Sequence, residues 1–265
     1  MIKIRNAAVI YPGGTVGLKP ATLDFKAGEF TVLIGSSGAG KSTLLRLLNL
    51  LTRPGQGEII SEISGELSCR SRLREHRKKT AMIFQQHQLI RRYTALRNVM
   101  LGRLGHYGTW RSLFPLKRAD YLLALESLDR VGLISVADCR VDTLSGGQQQ
   151  RVGIARALTQ RPRLILADEP VASLDPSTAR QVLSLLRQVC REDGITAVVS
   201  LHQVEFALSF ADRIIGLAQG EVLFDRDPAR ISPADLHGLY NQSARGGLLP
   251  ESAAAPSLEI CGAAA

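Results

Sequence analysis

The octapeptide Gly35-Ser36-Ser37-Gly38-Ala39-Gly40-Lys41-Ser42 fits GxxxxGK[ST] at every fixed position, and few features constrain a fold as tightly. Its flanks supply the context that the pattern needs. Thr31-Val32-Leu33-Ile34 reads as a buried strand that stops at Gly35, and Leu44, Leu45, Leu47, Leu48 and Leu51 recur at helical spacing until Pro54-Gly55. In a strand, glycine turn and helix, the backbone N–H groups can converge on a phosphate, and the helix N-terminus adds partial positive charge. Lys41 is expected to reach the outer phosphates of a nucleotide, and the Ser42 hydroxyl to ligate Mg²⁺. The nucleotide-binding set extends through Thr43. A glycine-rich turn that binds nothing is the bland alternative, and the flanks argue against it.

A second apolar strand, Leu164-Ile165-Leu166-Ala167, ends in Asp168-Glu169. Carboxylates at the C-terminal edge of a strand sit where α/β sheets bind ligands. Beside a phosphate-binding turn, Asp168 is expected to hold Mg²⁺, and Glu169 to orient and polarise an attacking water. Residues 2–10, 21–34, 80–84 and 196–201 read as further strands, and Pro176 to Cys190 as a helix. From Ala95 to Gln160 the pattern is helical, with breaks near Gly105–Gly108 and at Pro115. Strands alternating with helices imply a mostly parallel sheet covered on both faces, with a helical block inserted.

The rest of the composition narrows the class. At 265 residues the chain is long enough for one large domain or a domain with a subdomain. No run of about 18 apolar residues predicts a transmembrane helix. Met1-Ile2-Lys3-Ile4-Arg5 lacks the apolar core of a signal peptide, so a cytoplasmic location is expected. Cys69, Cys139, Cys190 and Cys261 form no CxxC pair and read as reduced structural thiols. The net charge of +9 suits nucleic acid, anionic lipid or an acidic protein surface. The densest basic run, Arg70 to Lys79, is not interleaved with aromatics as a nucleic-acid stacking platform needs. It reads as a solvated helix face, with a specific anion site as the alternative; proximity to phospholipid headgroups would account for the surplus charge, and no nucleic-acid partner is expected.

The family resemblance rests on Leu144-Ser145-Gly146-Gly147-Gln148 followed by Gln149-Gln150-Arg151-Val152-Gly153-Ile154-Ala155-Arg156-Ala157-Leu158, which resembles the signature of ABC ATPases. Gln85, after Ile83-Phe84, matches the Q-loop glutamine of that family. Ser173-Leu174-Asp175 matches the D-loop, and His202 in Ser200-Leu201-His202 the switch histidine. Tyr11 resembles the aromatic that stacks on adenine. The resemblance spans residues 1–240. It implies a P-loop NTPase (RecA-like) α/β core with a mostly parallel sheet, an antiparallel β subdomain and an inserted helical subdomain. The ATPase domain is expected over 1–241, with the core at about 1–86 and 160–241, the helical subdomain at about 87–159, and a loosely ordered Ala-rich tail at 242–265.

The same resemblance implies a head-to-tail homodimer that sandwiches two ATP molecules. Ser145, Gly146, Gly147 and Gln148 of one subunit would face the phosphates held by the partner's Lys41, with Ser145 and Gly147 as donors. His202 would bond the γ-phosphate, Gln85 would sense Mg²⁺ and the attacking water, and Asp175 would link the two sites. Lys41, Gln85, Glu169 and His202 make up the catalytic set, and Ser42, Gln85 and Asp168 the metal set. The implied partners are integral membrane permease subunits and a periplasmic or extracellular solute-binding protein. The chain would then sit peripherally on the cytoplasmic face of the inner membrane.

Within the family, Gly102-Arg103-Leu104-Gly105, Thr109-Trp110-Arg111-Ser112-Leu113 and Ala167-Asp168-Glu169-Pro170-Val171-Ala172-Ser173-Leu174-Asp175-Pro176 resemble the ATPases of phosphonate importers. Phosphite or hypophosphite importers are closely similar, and importers of other small polar solutes share the catalytic motifs. A non-hydrolysing nucleotide-gated scaffold should have lost Glu169 or His202, and both are present. ABC ATPases of DNA repair or translation carry long coiled coils or two ATPase halves, which are not seen. One departure is that Glu58 to Ser64 lacks the Asp-Gly hairpin turn expected there.

Overall fold

The computed structural model describes residues 2–62, 64–67, 69–85, 88–108 and 116–245, with side chains through Leu239. Thr109–Leu113, Pro115, Cys261 and the tail beyond Arg245 lie outside the described residues. Two strands open the chain, β1 (Ile2–Ile10) and β2 (Val16–Phe25), paired antiparallel with Ile2 opposite Phe25. Then come β3 (Phe30–Ile34), α1 (Lys41–Leu48), β4 (Gln56–Ser61), β5 (Gly65–Glu66), α2 (Arg70–Lys78) and β6 (Thr80–Ile83). A helical stretch follows: α3 (Ala95–Met100), a 3₁₀ segment (Leu101–His106), α4 (Arg118–Arg130) and α5 (Gly146–Thr159). The chain closes with β7 (Leu164–Asp168), α6 (Pro176–Glu192), β8 (Thr196–Leu201), α7 (Val204–Phe210), β9 (Arg213–Ala218), β10 (Glu221–Arg226) and α8 (Pro233–Arg245).

The strands form two sheets. One is antiparallel, in the order β2-β1-β4-β5, and the other has six strands in the order β10-β9-β3-β8-β7-β6. In the larger sheet only β10 runs antiparallel to its neighbour. Because side chains alternate across a strand, its apolar runs feed two cores. Leu33, Leu164, Leu166, Val198, Ile215 and Leu217 pack with Leu44 and Leu48 of α1 and with Ile2, Ile4 and Phe25 of the antiparallel sheet. Val32, Ile165, Ala167, Val199 and Ile214 face the other way, toward Leu96, Leu128, Val152, Ile154 and Leu186 of the helices. The helix behind the glycine turn is therefore clamped between two sheets.

Several local expectations shift. The stretch 21–34 is two strands, parted at a turn where Gly28 has φ 73°. Helix α1 ends at Leu48, short of Leu51, because Leu50 turns left-handed at φ 49° and the Leu51 N–H bonds back to the Arg46 carbonyl. In place of an Asp-Gly hairpin, β4 pairs with β1 and closes onto β5 with Ser61 opposite Gly65. Helix α8 runs to Arg245, past the boundary expected at 241. Cys69, Cys139 and Cys190 are free, and burial pushes the Cys190 thiol up to about 12. None of the described helices is long and apolar enough to cross a membrane.

The basic helix α2 is not simply a solvated face. Arg74 donates to the Tyr107 carbonyl at 3.1 Å, and Arg77 to the carbonyls of Asn49 at 3.2 Å and Leu50 at 2.7 Å. His76 is fully buried, its ring 2.9 Å from the Leu48 carbonyl and 3.2 Å from the Ser61 hydroxyl. Burial holds its pKa below the usual histidine value, against a smaller opposing effect from the Leu48 carbonyl. The unfolded chain therefore takes up a proton, from about pH 6.5 downward, that the folded chain resists. The stability that neutral His76 contributes is present above that pH and drains away as pH falls toward the lower folded pKa. A His76→Gln variant should show a flatter loss of Tm between about pH 6.5 and 5. Thermal melts across that range test this, and identical slopes would count against it.

Candidate nucleotide site

The glycine turn is set by sterics at two positions. Gly35 has φ 154°, and a Cβ there would lie 2.2 Å from the Leu217 carbonyl oxygen. Gly40 has φ 103°, and its Cβ would lie 2.8 Å from the Gly17 carbonyl oxygen. Only glycine lets the turn pack this closely on its neighbours. Inside the turn Lys41 is buried, its Nζ donating to the carbonyls of Gly35 at 2.7 Å and Ser36 at 2.9 Å. Its Nζ lies 4.0 Å from Glu169 Oε1. Burial lowers its pKa, and the nearby Glu169 and Asp168 carboxylates oppose that shift.

Ser42, the residue after Lys41, donates to Asp168 Oδ1 at 2.8 Å. The same oxygen accepts from the Ser200 hydroxyl at 2.9 Å, and the Glu169 N–H donates to Ser200 Oγ at 2.8 Å. Ser200 thus holds both members of the acidic pair, because the parallel register sets Asp168 opposite Ser200. In the sequence Ser200 stands out only as a neighbour of His202. Its signal was a hydroxyl inside an otherwise apolar strand end. Glu169 adopts φ 49°, a left-handed conformation that costs energy outside glycine. Its Oε1 pairs with His202 Nε2 at 2.5 Å.

Tyr11 lies beside the same helix, its hydroxyl 3.0 Å from Thr43 Oγ1. Its ring occupies the space over Gly17, where a Cβ would come within 2.5 Å of it. Gln85 follows the end of β6 and is exposed.

The signature residues form a second group. Ser145 caps α5, accepting from the Gln148 N–H at 3.3 Å, while the Gln148 side chain accepts from the Ser145 N–H at 2.9 Å. This reciprocal box fixes the N-terminus of α5, with Ser145 and Gly146 exposed and Gly147 buried. Cβ atoms built on Gly146 and Gly147 would lie 3.3 Å from Leu174 and 2.6 Å from Thr178. Asp175 caps α6, accepting from the N–H groups of Ser177 at 3.1 Å and Thr178 at 3.0 Å. Hydrogen bonds from Thr178 and then Ser177 hold its carboxyl well below the usual range. The signature and Asp175 therefore present one surface, built on the starts of two helices.

Among the described residues no group of three or more His, Cys, Asp or Glu side chains could hold a metal by itself. Ser42 Oγ and Asp168 Oδ1, 2.8 Å apart, are a hard oxygen pair. That pair suits Mg²⁺, which binds through one or two protein oxygens and takes the rest of its shell from phosphates and water.

A profile of the family described as ABC transporter matches residues 18–172. The chain belongs to the ABC transporter family. The relatives include the phosphite import ATP-binding protein PxtA of Stutzerimonas stutzeri, 56% identical over 265 residues, covering 98% of this chain and 96% of that one. They also include the phosphonates import ATP-binding protein PhnC 3 of Nostoc sp., 56% identical over 243 residues, covering 92% and 93%. Among solved ABC structures, the dimeric structure of the bacterial ABC transporter cassette MJ0796 superposes with a TM-score of 0.74 at 36% identity. That match covers 86% of this chain and 99% of that one. The fold is thus the ABC cassette, a P-loop NTPase with one mostly parallel and one antiparallel sheet, as the resemblance implied.

Proposed function

We propose that this chain is the ATP-binding and ATP-hydrolysing subunit of an ABC importer that takes up phosphonates. It works as a head-to-tail homodimer on the cytoplasmic face of the membrane, beneath permease subunits fed by a solute-binding protein. The observation that carries the enzymatic reading is one connected cluster: Lys41 beside Glu169, Glu169 on His202, and Ser42 with Ser200 on Asp168. The cargo reading is supported by relatives named for phosphite and phosphonate import that match nearly the whole chain.

In this reading the residues divide the work by position. Tyr11 gives the base a face to stack on. Lys41 exchanges the Gly35 and Ser36 carbonyls for phosphate oxygens. Mg²⁺, held by Ser42 and Asp168, supplies charge neutralisation on those oxygens when bound. Glu169 accepts a hydrogen bond from the attacking water, and His202 keeps that carboxylate oriented and reaches the γ-phosphate. Gln85 completes the water site. Ser145 and Gly147 at the N-terminus of α5 bond the γ-phosphate held by the partner's Lys41, so nucleotide joins the two copies. Phosphoryl transfer asks mainly for such positioning and charge stabilisation.

Ser200→Ala takes one of two donors from Asp168. It should raise the Mg²⁺ concentration needed for half-maximal turnover about tenfold or more. A Mg²⁺ titration of ATPase activity reads this, and an unchanged midpoint would remove the supporting role of Ser200.

A second cargo, phosphite, is favoured by a specific observation: the alignment to the phosphite import protein covers 98% of this chain. Uptake of labelled methylphosphonate, phosphite and phosphate by cells lacking this gene separates the cargoes. Selective loss of phosphonate uptake, restored by the wild type but not by Glu169→Gln, is the expected result. Selective loss of phosphite uptake keeps the machine and changes the cargo. Unchanged uptake of all three sinks the phosphonate and phosphite assignments and leaves the ATPase reading standing.

A further inference from the structure

Helix α5 carries Ser145 at its start and Arg156 near its end. The Arg156 guanidinium donates to the Gln88 carbonyl at 2.8 Å, three residues beyond Gln85. Gln88 is itself held left-handed at φ 44°. Two residues on, Asn98 of α3, fully buried, clamps Ile90 by accepting from its N–H at 2.8 Å and donating to its carbonyl at 3.0 Å. The chain at Gln88 and Ile90 is thus gripped twice, and one grip comes from the signature helix. That helix is tied in at two more points. A Cβ on Gly102 would lie 2.3 Å from the Arg156 carbonyl oxygen, so the 3₁₀ segment packs directly on this turn of α5. Gln160, at the end of α5, donates to the carbonyls of Arg77 at 2.6 Å and Thr80 at 3.0 Å, beside the start of the strand that leads to Gln85. The Arg156 side chain is half-buried, and that burial pushes its guanidinium below its ordinary value.

We propose that Arg156 is a positioning residue for hydrolysis, one that fixes the backbone behind Gln85 to the helix whose N-terminus carries Ser145. The inference rests on the ATPase function proposed above and goes beyond it. From Ser145 to Arg156 the helix spans about 16 Å at 1.5 Å per residue, and it moves as a rod over that length. When Ser145 engages phosphate bound to the partner, the shift of α5 passes through Arg156 to the Gln88 carbonyl. Gln85 is then set against the water and metal.

The test is a double-mutant cycle on the full-length chain, reading ATP Kd, kcat and the Mg²⁺ midpoint. Arg156→Met keeps the apolar stem and removes the guanidinium. It should lower kcat about tenfold to a hundredfold, the range expected for an ångström-scale displacement of a reacting group, with ATP Kd within about twofold of wild type. Added to Gln85→Ala, it should cost almost nothing further, because the two residues act through one another. Arg156→Lys should recover part of kcat. Losses that multiply in the double variant, or a fall in binding and turnover together that tracks the folded fraction, would overturn the proposal. Should Arg156→Met fail to fold, the same cycle with Arg156→Lys decides between coupled and multiplicative losses. Absence of ATPase activity in the unsubstituted dimer would instead remove the function on which the inference rests.

Discussion

Glu169→Gln is expected to bind ATP with near-wild-type affinity, to lose about 10²- to 10⁴-fold in kcat, and to accumulate as an ATP-bound dimer. The reason lies in its surroundings. Its N–H is held by Ser200, its backbone is left-handed, and one carboxylate oxygen is engaged by His202. The side chain thus ends beside the Lys41 ammonium. An amide of the same shape can still accept a hydrogen bond, but it cannot take a proton from water. With hydrolysis blocked, the nucleotide that joins the two copies is not consumed. Size-exclusion chromatography with ATP, beside steady-state turnover, reads both halves. A variant that turns over normally removes Glu169 from the chemistry. One that loses turnover but stays monomeric with ATP would break the link between hydrolysis and dimer opening.

Lys41→Ala should act one step earlier, on binding itself. Its ammonium is buried and held by two loop carbonyls, with two acidic side chains nearby. Removing it takes away the charged donor for the outer phosphates and leaves the Gly35 and Ser36 carbonyls without it. Losing one partner of a buried charged hydrogen bond costs about 2–5 kcal/mol, or about 30-fold to several thousandfold in Kd. ATP should accordingly give the wild type a Tm increase that the variant lacks. An ATP-induced shift of equal size in both proteins would mean that Lys41 does not hold the phosphates.

The two substitutions probe parts of the site that differed in how far the residues alone disclosed them. The turn around Lys41 was legible because its demands are local. Glycines at fixed spacing and a lysine at a helix start report backbone dihedrals and helix register, which the chain encodes within a few residues. The pairing of Ser145 with Gln148 is local in the same way, since a capping box needs only a three-residue offset. Boundaries were less legible. The end of α1 depended on Leu50, a residue with no intrinsic preference for the left-handed conformation that it adopts.

Ser200 and Arg156 belong to a different category. Ser200 reaches Asp168 across 32 positions of sequence, through the register of β7 on β8, and Arg156 reaches Gln88 across 68. Strand register and helix docking are decided by burying two apolar faces at once, a global condition that no short window contains. The arginines of α2 make the same point. Their spacing reads as a solvated face, yet Arg74 and Arg77 end on carbonyls of segments that only the fold brings near. The sequence by itself determined the family, the phosphate-binding turn and the strand, turn and helix order around it, since each rests on local spacing and periodicity. The tertiary structure alone decided which hydroxyl holds the acidic pair, which arginine grips the chain behind Gln85, and how α1 is clamped between two sheets. Those contacts come from packing surfaces that meet only when the whole chain is folded.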